Sequence, residues 1–359
     1  MPTIGMPKIQ IEFESMGLTA IQRSERGIVL LILKETAEKP KNSFRFASLV
    51  DVEEDDFSEE VKKYVDLAFE ASPNLLLVET YDGTNRTLAN LLKDLVLQKF
   101  NYYATPNLEA TDIKTVLSWH KDIVKKKDKT IKYVGFEEVA DDENIINFAT
   151  TKVVYDKVDY TGLEFTALIA SQLAALPLTR SFTFFTWPKI SYASLDFVDD
   201  EDAAVNAGKL FLTYDGEKYK IARGVNSLTT CHEDKGEDFS KIRIVEAMHL
   251  IKDDISETFN NFYVGKILNK YENKQQFIAL INQVYFLELQ DTILEKAGNS
   301  RVDIDMVENR KYAIKRGQDV EKMTAMEIKT YNTGSNVFLE GTVSLLDAME
   351  DLKIRFRNQ

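Results

Sequence analysis

Few residues in this sequence could do chemistry, and their spacing does not favour it. Three histidines, His120, His232 and His249, stand apart from one another, and CxxC, HExxH and HxxxH are all absent. A tetrahedral zinc site needs about four Cys, His or carboxylate ligands. The single cysteine, Cys231, adjoins His232, but neighbouring side chains on an extended segment point to opposite faces. A small buried hydrophobe is therefore a better reading of Cys231 than a Cys–His nucleophile. Asp82-Gly83-Thr84 follows an apolar run and precedes a helical pattern, a place where α/β enzymes put phosphate-binding or nucleophilic groups. The plainer expectation is a turn, with Thr84 as helix N-cap. Neither GxxxxGK[ST] nor GxGxxG occurs, so nucleotide use has no support. The carboxylates Asp199, Asp200, Glu201 and Asp202 lack the spaced ligands of a calcium loop and suit a solvated loop or a helix N-terminus. Lys125-Lys126-Lys127 suits a helix C-terminus for the same electrostatic reason. No catalytic residue, cofactor or metal is expected; a hydrolase or phosphatase-like enzyme centred on Asp82 is the competing reading.

The elements that would position these residues alternate. Ile28 to Leu33 is apolar throughout, as a strand buried on both faces would be. A helix follows from Ser58 to Ala71, a strand from Asn74 to Glu79, a helix carrying Leu88, Leu91, Leu92, Leu95 and Val96, and a strand from Tyr102 to Thr105. A helix from Asp112 to Lys126 and a strand from Thr130 to Phe136 continue the rhythm, which implies parallel β-α-β units. The helix from Gly162 to Leu176 is apolar nearly all round and should be central, ending at Pro177. Tyr214-Asp215-Gly216-Glu217 marks a hairpin, after which we place a domain boundary. The second domain opens with an amphipathic helix from Ser240 to Val264, whose Arg243, Glu246, Asp253 and Glu257 lie opposite its apolar stripe. A helix from Lys274 to Ala297 and strand-like segments at Arg301 to Asp305, Glu327 to Tyr331 and Val337 to Val343 complete it. At each end a run of alternating polarity stands outside the core: Ile9, Ile11 and Phe13 between Pro7 and Glu14, and Leu352, Ile354 and Phe356 after residue 347.

Composition narrows the class. A chain of 359 residues with 44% apolar content favours two globular domains. The net charge of -13 argues against direct binding of nucleic acid or an anionic membrane, since both require clustered Lys and Arg. One cysteine precludes an internal disulfide and suits a reducing compartment. The first residues lack the basic-then-apolar pattern of a secretion signal. Leu163 to Leu176, the best apolar span, is broken by Ser171 and Gln172 and falls short of the roughly 18 residues a membrane helix needs. A soluble protein made in the cytoplasm is expected.

Four stretches carry a family likeness: Arg223 to Ile255, the helix running into Leu176-Pro177-Leu178-Thr179-Arg180-Ser181, Asn261-Phe262-Tyr263-Val264-Gly265-Lys266, and Leu346-Asp347-Ala348-Met349-Glu350. In order and content they resemble contractile tail sheath proteins, of the short type in phages, phage-like particles and contractile bacteriocins of Gram-positive bacteria. Asp82-Gly83-Thr84 is similar to the tail of the haloacid-dehalogenase motif, but Thr80 stands where that motif needs a further Asp. The sheath resemblance implies an α/β fold, α+β overall: a non-proteolytic, subtilisin-like α/β domain at residues 25–224 and a smaller α+β domain at 225–346 that faces a tube. Arms at 1–24 and 347–359 would add strands to neighbouring subunits. It further implies hexameric rings stacked around an inner tail tube, contraction that drives the tube through a cell envelope, and baseplate and tail terminator proteins as further partners. The expected strand-arm residues are Ile9, Ile11, Phe13, Leu352, Ile354 and Phe356, and the expected tube-facing ones Arg243, Glu246, Asp253 and Glu257. The expected place is the tail sheath of a virion or phage-like particle, assembled in the host cytoplasm. Another tail or baseplate component is a second alternative.

Overall fold

A computed structural model describes residues 20–39, 41–232 and 235–357. The chain divides into two compact units, and the division falls inside one long helix: Ser24–Asp253 with Asp291–Glu295 and Leu345–Gln359 form one, and Met1–Arg23, Asp254–Gln290 and Lys296–Ser344 the other. Residues 225–253 stay with the α/β unit because Ser227 N–H donates to the carbonyl of Ile145 at 2.8 Å, and Val225, Ile242, Ile244 and Val245 are buried.

The α/β unit is built on a seven-stranded sheet. Strand β1 (Ile28–Lys34) runs along its middle, with six of seven residues buried. The other strands are β2 (Ser43–Phe46), β3 (Leu75–Tyr81), β4 (Tyr102–Ala104), β5 (Lys132–Phe136), β6 (Ile145–Phe148) and, past a second sheet, β10 (Lys209–Leu210). That second sheet, order β8-β7-β9, comprises β7 (Lys152–Tyr155), β8 (Val158–Thr161) and β9 (Ile190–Ala193). The large sheet has the order β10-β6-β5-β4-β1-β3-β2, parallel throughout except that β2 is antiparallel to β3. Side chains of β1 alternate between two cores. Val29, Leu31 and Leu33 pack with helices α1 (Glu59–Phe69) and α4 (Gly162–Ala175); Ile28, Leu30 and Ile32 pack with α2 (Leu88–Leu95) and α3 (Ala110–Lys127). Each such side chain contributes about 1.5–3 kcal/mol on burial, which is why β1 has no polar face.

Helix α4 begins with a capping box, in which Thr161 and Glu164 each accept from the other's backbone N–H. The helix α5 (Glu201–Asn206) is capped by Asp200, so the acidic run is a helix N-terminus. A hairpin of β11 (Leu212–Tyr214) and β12 (Tyr219–Ile221) turns as its sequence predicts. The long helix α6 (Ile242–Phe262) then starts in this unit.

The other unit contains the end of α6, then α7 (Tyr271–Leu280), a π-turn at Ile281–Tyr285 and α8 (Phe286–Leu289). Strand β13 (Arg301–Ile304) pairs antiparallel with β14 (Leu339–Thr342), and between them lie α9 (Met306–Lys315) and α10 (Ala325–Thr330).

Several expectations need correction. Thr84 does not cap a helix: Thr87 does, accepting from Asn90 N–H, because Asp82 first organises a turn. The helix expected to reach Ala297 stops at Leu289, since residues 291–295 leave it and Leu294 bridges to Leu345. Glu327 to Tyr331 is helical and not a strand, because Thr324 and Glu327 form a capping box. Helix α9 was missed altogether. The expected strand with Ile9, Ile11 and Phe13 lies outside the described residues. Among the described residues, no helix is long and apolar enough to cross a membrane.

Candidate assembly site

The residues that invited a catalytic reading are occupied otherwise. Oδ1 of Asp82 accepts the N–H groups of Thr84, Asn85 and Arg86 at 2.7–3.1 Å. The bonds from Thr84 and Arg86 hold its carboxyl below the usual range. It is a turn acceptor. Cys231 is exposed, and the neighbouring His232 exchanges backbone hydrogen bonds with Lys235. His120 is buried against the Tyr103 hydroxyl at 3.0 Å, and burial, aided by Lys121, brings its imidazole down to about 3. Among the described residues no three His, Cys, Asp or Glu side chains are grouped to hold a metal.

The charged face of α6 is a different matter. Sequence periodicity puts Arg243, Glu246 and Asp253 on a solvated side, but the structure turns all three toward groups of their own unit. Oε1 of Glu246 lies 2.8 Å from Arg26 and Oε2 lies 2.7 Å from Lys132 of β5, with the Tyr102 hydroxyl donating to it at 2.8 Å. Burial alone would raise this carboxyl, but Lys132 and Arg26 outweigh it and hold the group at about 2. Asp253 accepts from Thr130 at 2.8 Å and lies 3.2 Å from Arg26; burial raises its carboxyl. His249, 3.2 Å from Lys132, is kept far below its ordinary range by burial and by that lysine, and so is neutral. Two acids and two bases thus form a closed cluster beneath the helix. Glu257, the fourth predicted residue, is half-buried in the other unit.

Arg243 reaches the opposite chain end. Its guanidinium donates to the carbonyls of Leu346 and Thr292. Around it the segment 345–351 is fastened at Leu345, Leu346, Asp347, Glu350 and Asp351. Leu346 N–H donates to Ile293 at 2.8 Å, and Asp347 pairs with Lys241 at 2.5 Å. Glu350 accepts from Ser181 and Thr183, both at 2.7 Å, and from Arg223 at 3.1 Å. Asp351 pairs with Arg223 at 2.7 Å. Three stretches that stand far apart in sequence, 176–181, 223–255 and 346–350, meet at the Glu350 carboxylate. Gly224 permits this: a Cβ there would sit 3.2 Å from the Thr183 nitrogen.

Beyond Asp351 the side chains are left exposed. Residues 351–357 form no helix or strand, and Leu352, Ile354 and Phe356 are 85%, 59% and 88% exposed. Large apolar side chains at alternate positions are costly to leave in water, and a backbone unpaired in helix or sheet can pair with another strand.

A second surface belongs to α9. Val307, Arg310, Lys311, Ile314 and Lys315 recur at helical spacing on its exposed side, with Val307 57% and Ile314 54% exposed, while Asn309 and Ala313 face inward. The signal was available: Asp305 followed three residues later by Glu308 is an N-cap pattern, and Asp305 does cap the helix. Polarity on its outer face hid the periodicity.

Comparison with known proteins gives this geometry a context. Residues 234–358 match the family model of the phage tail sheath C-terminal domain. The chain is 35% identical to the tail sheath protein of Clostridium phage phiCD119, over 98% of this chain and 99% of that one. Its fold is similar to that of the sheath tail protein from Desulfitobacterium hafniense, with a TM-score of 0.67 at 16% identity, covering 83% of this chain and 94% of the other. It is also similar to the anti-feeding prophage helical sheath in the contracted state, with a TM-score of 0.71 at 12% identity over 99% and 100% of the two chains. A full-length relative at 35% identity and a matching C-terminal family model lead to one conclusion: the chain belongs to the phage tail sheath proteins, which are structural subunits and not enzymes.

Proposed function

We propose that this subunit polymerises as hexameric rings stacked helically around an inner tube, and that contraction of this lattice drives the tube through a target envelope. The observation that carries the proposal is the segment 351–357: fastened at its root, without helix or strand of its own, and apolar at alternate exposed positions. Adding it to a sheet edge of a neighbouring copy would satisfy its backbone and bury Leu352, Ile354 and Phe356. Ile9, Ile11 and Phe13 have the same pattern at the other arm. Such head-to-tail contacts generate a filament when the rotation between copies does not close. The likeness to a contracted helical sheath supports this reading, and the likeness to an anti-feeding prophage baseplate chain, TM-score 0.65 at 14% identity, supports contact with a baseplate.

The unit carrying α9 is the one we assign to the tube. Arg243, Glu246 and Asp253 are committed within their own unit, which favours the exposed basic and apolar face of α9 as the contact. A tail terminator protein is a further partner, while the acidic chain gives no support for direct nucleic-acid or membrane binding. A subtilisin-like topology for the α/β unit is supported by its long run of parallel strands covered on both faces. The tail of a virion or phage-like particle, assembled in the host cytoplasm, is the corresponding location. With no nucleotide motif in the chain, the energy for contraction is stored when the lattice assembles, as kinetic and not equilibrium stability.

Negative-stain electron microscopy tests the proposal. The full-length chain should form rings or tubes, and a chain lacking residues 352–359 should remain folded but fail to polymerise. Tubes formed equally well by the truncated chain would refute the C-terminal arm as the linker.

A further inference from the structure

The roots of the two arms converge. Arg26, just after the N-terminal arm, is held by Glu246; Leu346 and Asp347, just before the C-terminal arm, are held by Arg243 and Lys241. Positions 243 and 246 are three apart on α6 and so share a face. Their side chains line the same crevice, about 20 Å³ in volume, beside Tyr102 and Pro177. Ile242, which lines the same crevice, and Val245 are buried in the unit and anchor the start of the helix.

We propose that the first two turns of α6 are a common root for both arms, which couples them mechanically inside each subunit. This rests on the reading of the two ends as inter-subunit arms. Tension arriving through one arm passes to the other through the start of α6, whose Glu246 is also tied to Lys132 of β5 and Tyr102 of β4. A subunit can then rotate about this point while its neighbours stay connected through it. The alternative is two independent roots, each fixed separately to the core.

Hydrogen exchange on the unassembled full-length chain separates the two. Asp347→Lys breaks the C-terminal root from outside the helix, leaving α6 unaltered. Coupled roots predict that exchange rises about tenfold at residues 345–351 and severalfold at residues 24–27, and that the charge swap Lys241→Asp with Asp347→Lys restores both. Reciprocally, Arg26→Gln should raise exchange at 345–351. If 345–351 loosens while 24–27 does not, or if neither responds, the common root is refuted. Asp347→Ala serves should the charge reversal not fold. Polymerisation is scored separately by electron microscopy. Tubes without coupled exchange would overturn the common root and leave the sheath reading intact, and coupled exchange in a chain that never polymerises would do the reverse.

Discussion

Replacing Glu246 by Gln removes one charge from a closed set and leaves Lys132 and Arg26 facing each other's charge around a neutral amide. Two routes give the size of the effect. Breaking a buried ion pair by deleting one partner costs about 3–5 kcal/mol. Independently, the carboxyl is held near 2 against an ordinary value of 4.5, and a shift of that size is worth about 3 kcal/mol by linkage. The sign follows from the lowered folded value: the stabilisation is fully present above the ordinary carboxylate range and is lost as pH falls from about 4.5 towards 2. Urea denaturation at pH 7 should therefore show a loss of about 3–5 kcal/mol, with the gap between the variant and the native chain closing on the acid side. Removing both partners, with Lys132→Met and Glu246→Leu together, should recover most of the loss, since Asp253 still answers Arg26. A cost under about 1 kcal/mol for Glu246→Gln, the value of an exposed pair, or a gap independent of pH would refute the closed cluster.

Three further outcomes follow from the geometry. Because His120 and His249 are both held neutral by burial, the unfolded chain takes up protons first as pH drops through about 6.5. Stability should fall by about 1 kcal/mol for each histidine between pH 7 and 5.5. The burial-raised carboxyls Asp66, Glu138 and Asp253 act in the opposite sense, so the histidine contribution is read as the difference between the native chain and His120→Gln; equal pH slopes would contradict it. Thr161→Ala opens the capping box of α4 and should cost about 1 kcal/mol in thermal or urea unfolding without altering the sheet. Arg310→Glu with Lys315→Glu on the outer face of α9 should leave stability within about 0.5 kcal/mol and reduce co-sedimentation with isolated tail tubes; undiminished binding would remove α9 from the interface.

Much of the α/β unit was legible because its signals are local and strong. The run Ile28 to Leu33 can only be a doubly buried strand, and Gly162 to Ala175 only a central helix. Where the sequence misled, the deciding contacts were distant. Nothing near Glu246 reveals that Arg26 and Lys132, more than a hundred residues away, will close over it, so a helix face rich in charge was read as wet. The tail behaved oppositely: alternation at Leu352, Ile354 and Phe356 predicted an unsupported strand, and those residues are exposed. In sequence the pattern Leu346 to Glu350 carries a family likeness and no physical role. Its Asp347 and Glu350 prove to be the side chains that fasten the tail to Lys241, Ser181 and Arg223.

The order of synthesis gives that fastening another meaning. Residues 291–295 and 345–351 belong to the α/β unit but are translated long after its sheet. Until they emerge, Arg243 has no carbonyl to hold, and Arg223, Ser181 and Thr183 have no Glu350 to bind. The unit is therefore closed from its late-translated side, through contacts of very large sequence separation, which form slowly. A ribosome-bound chain exposes the first unit without the finished clamp, so the contacts that complete this unit form only when the last residues of the clamp have been made.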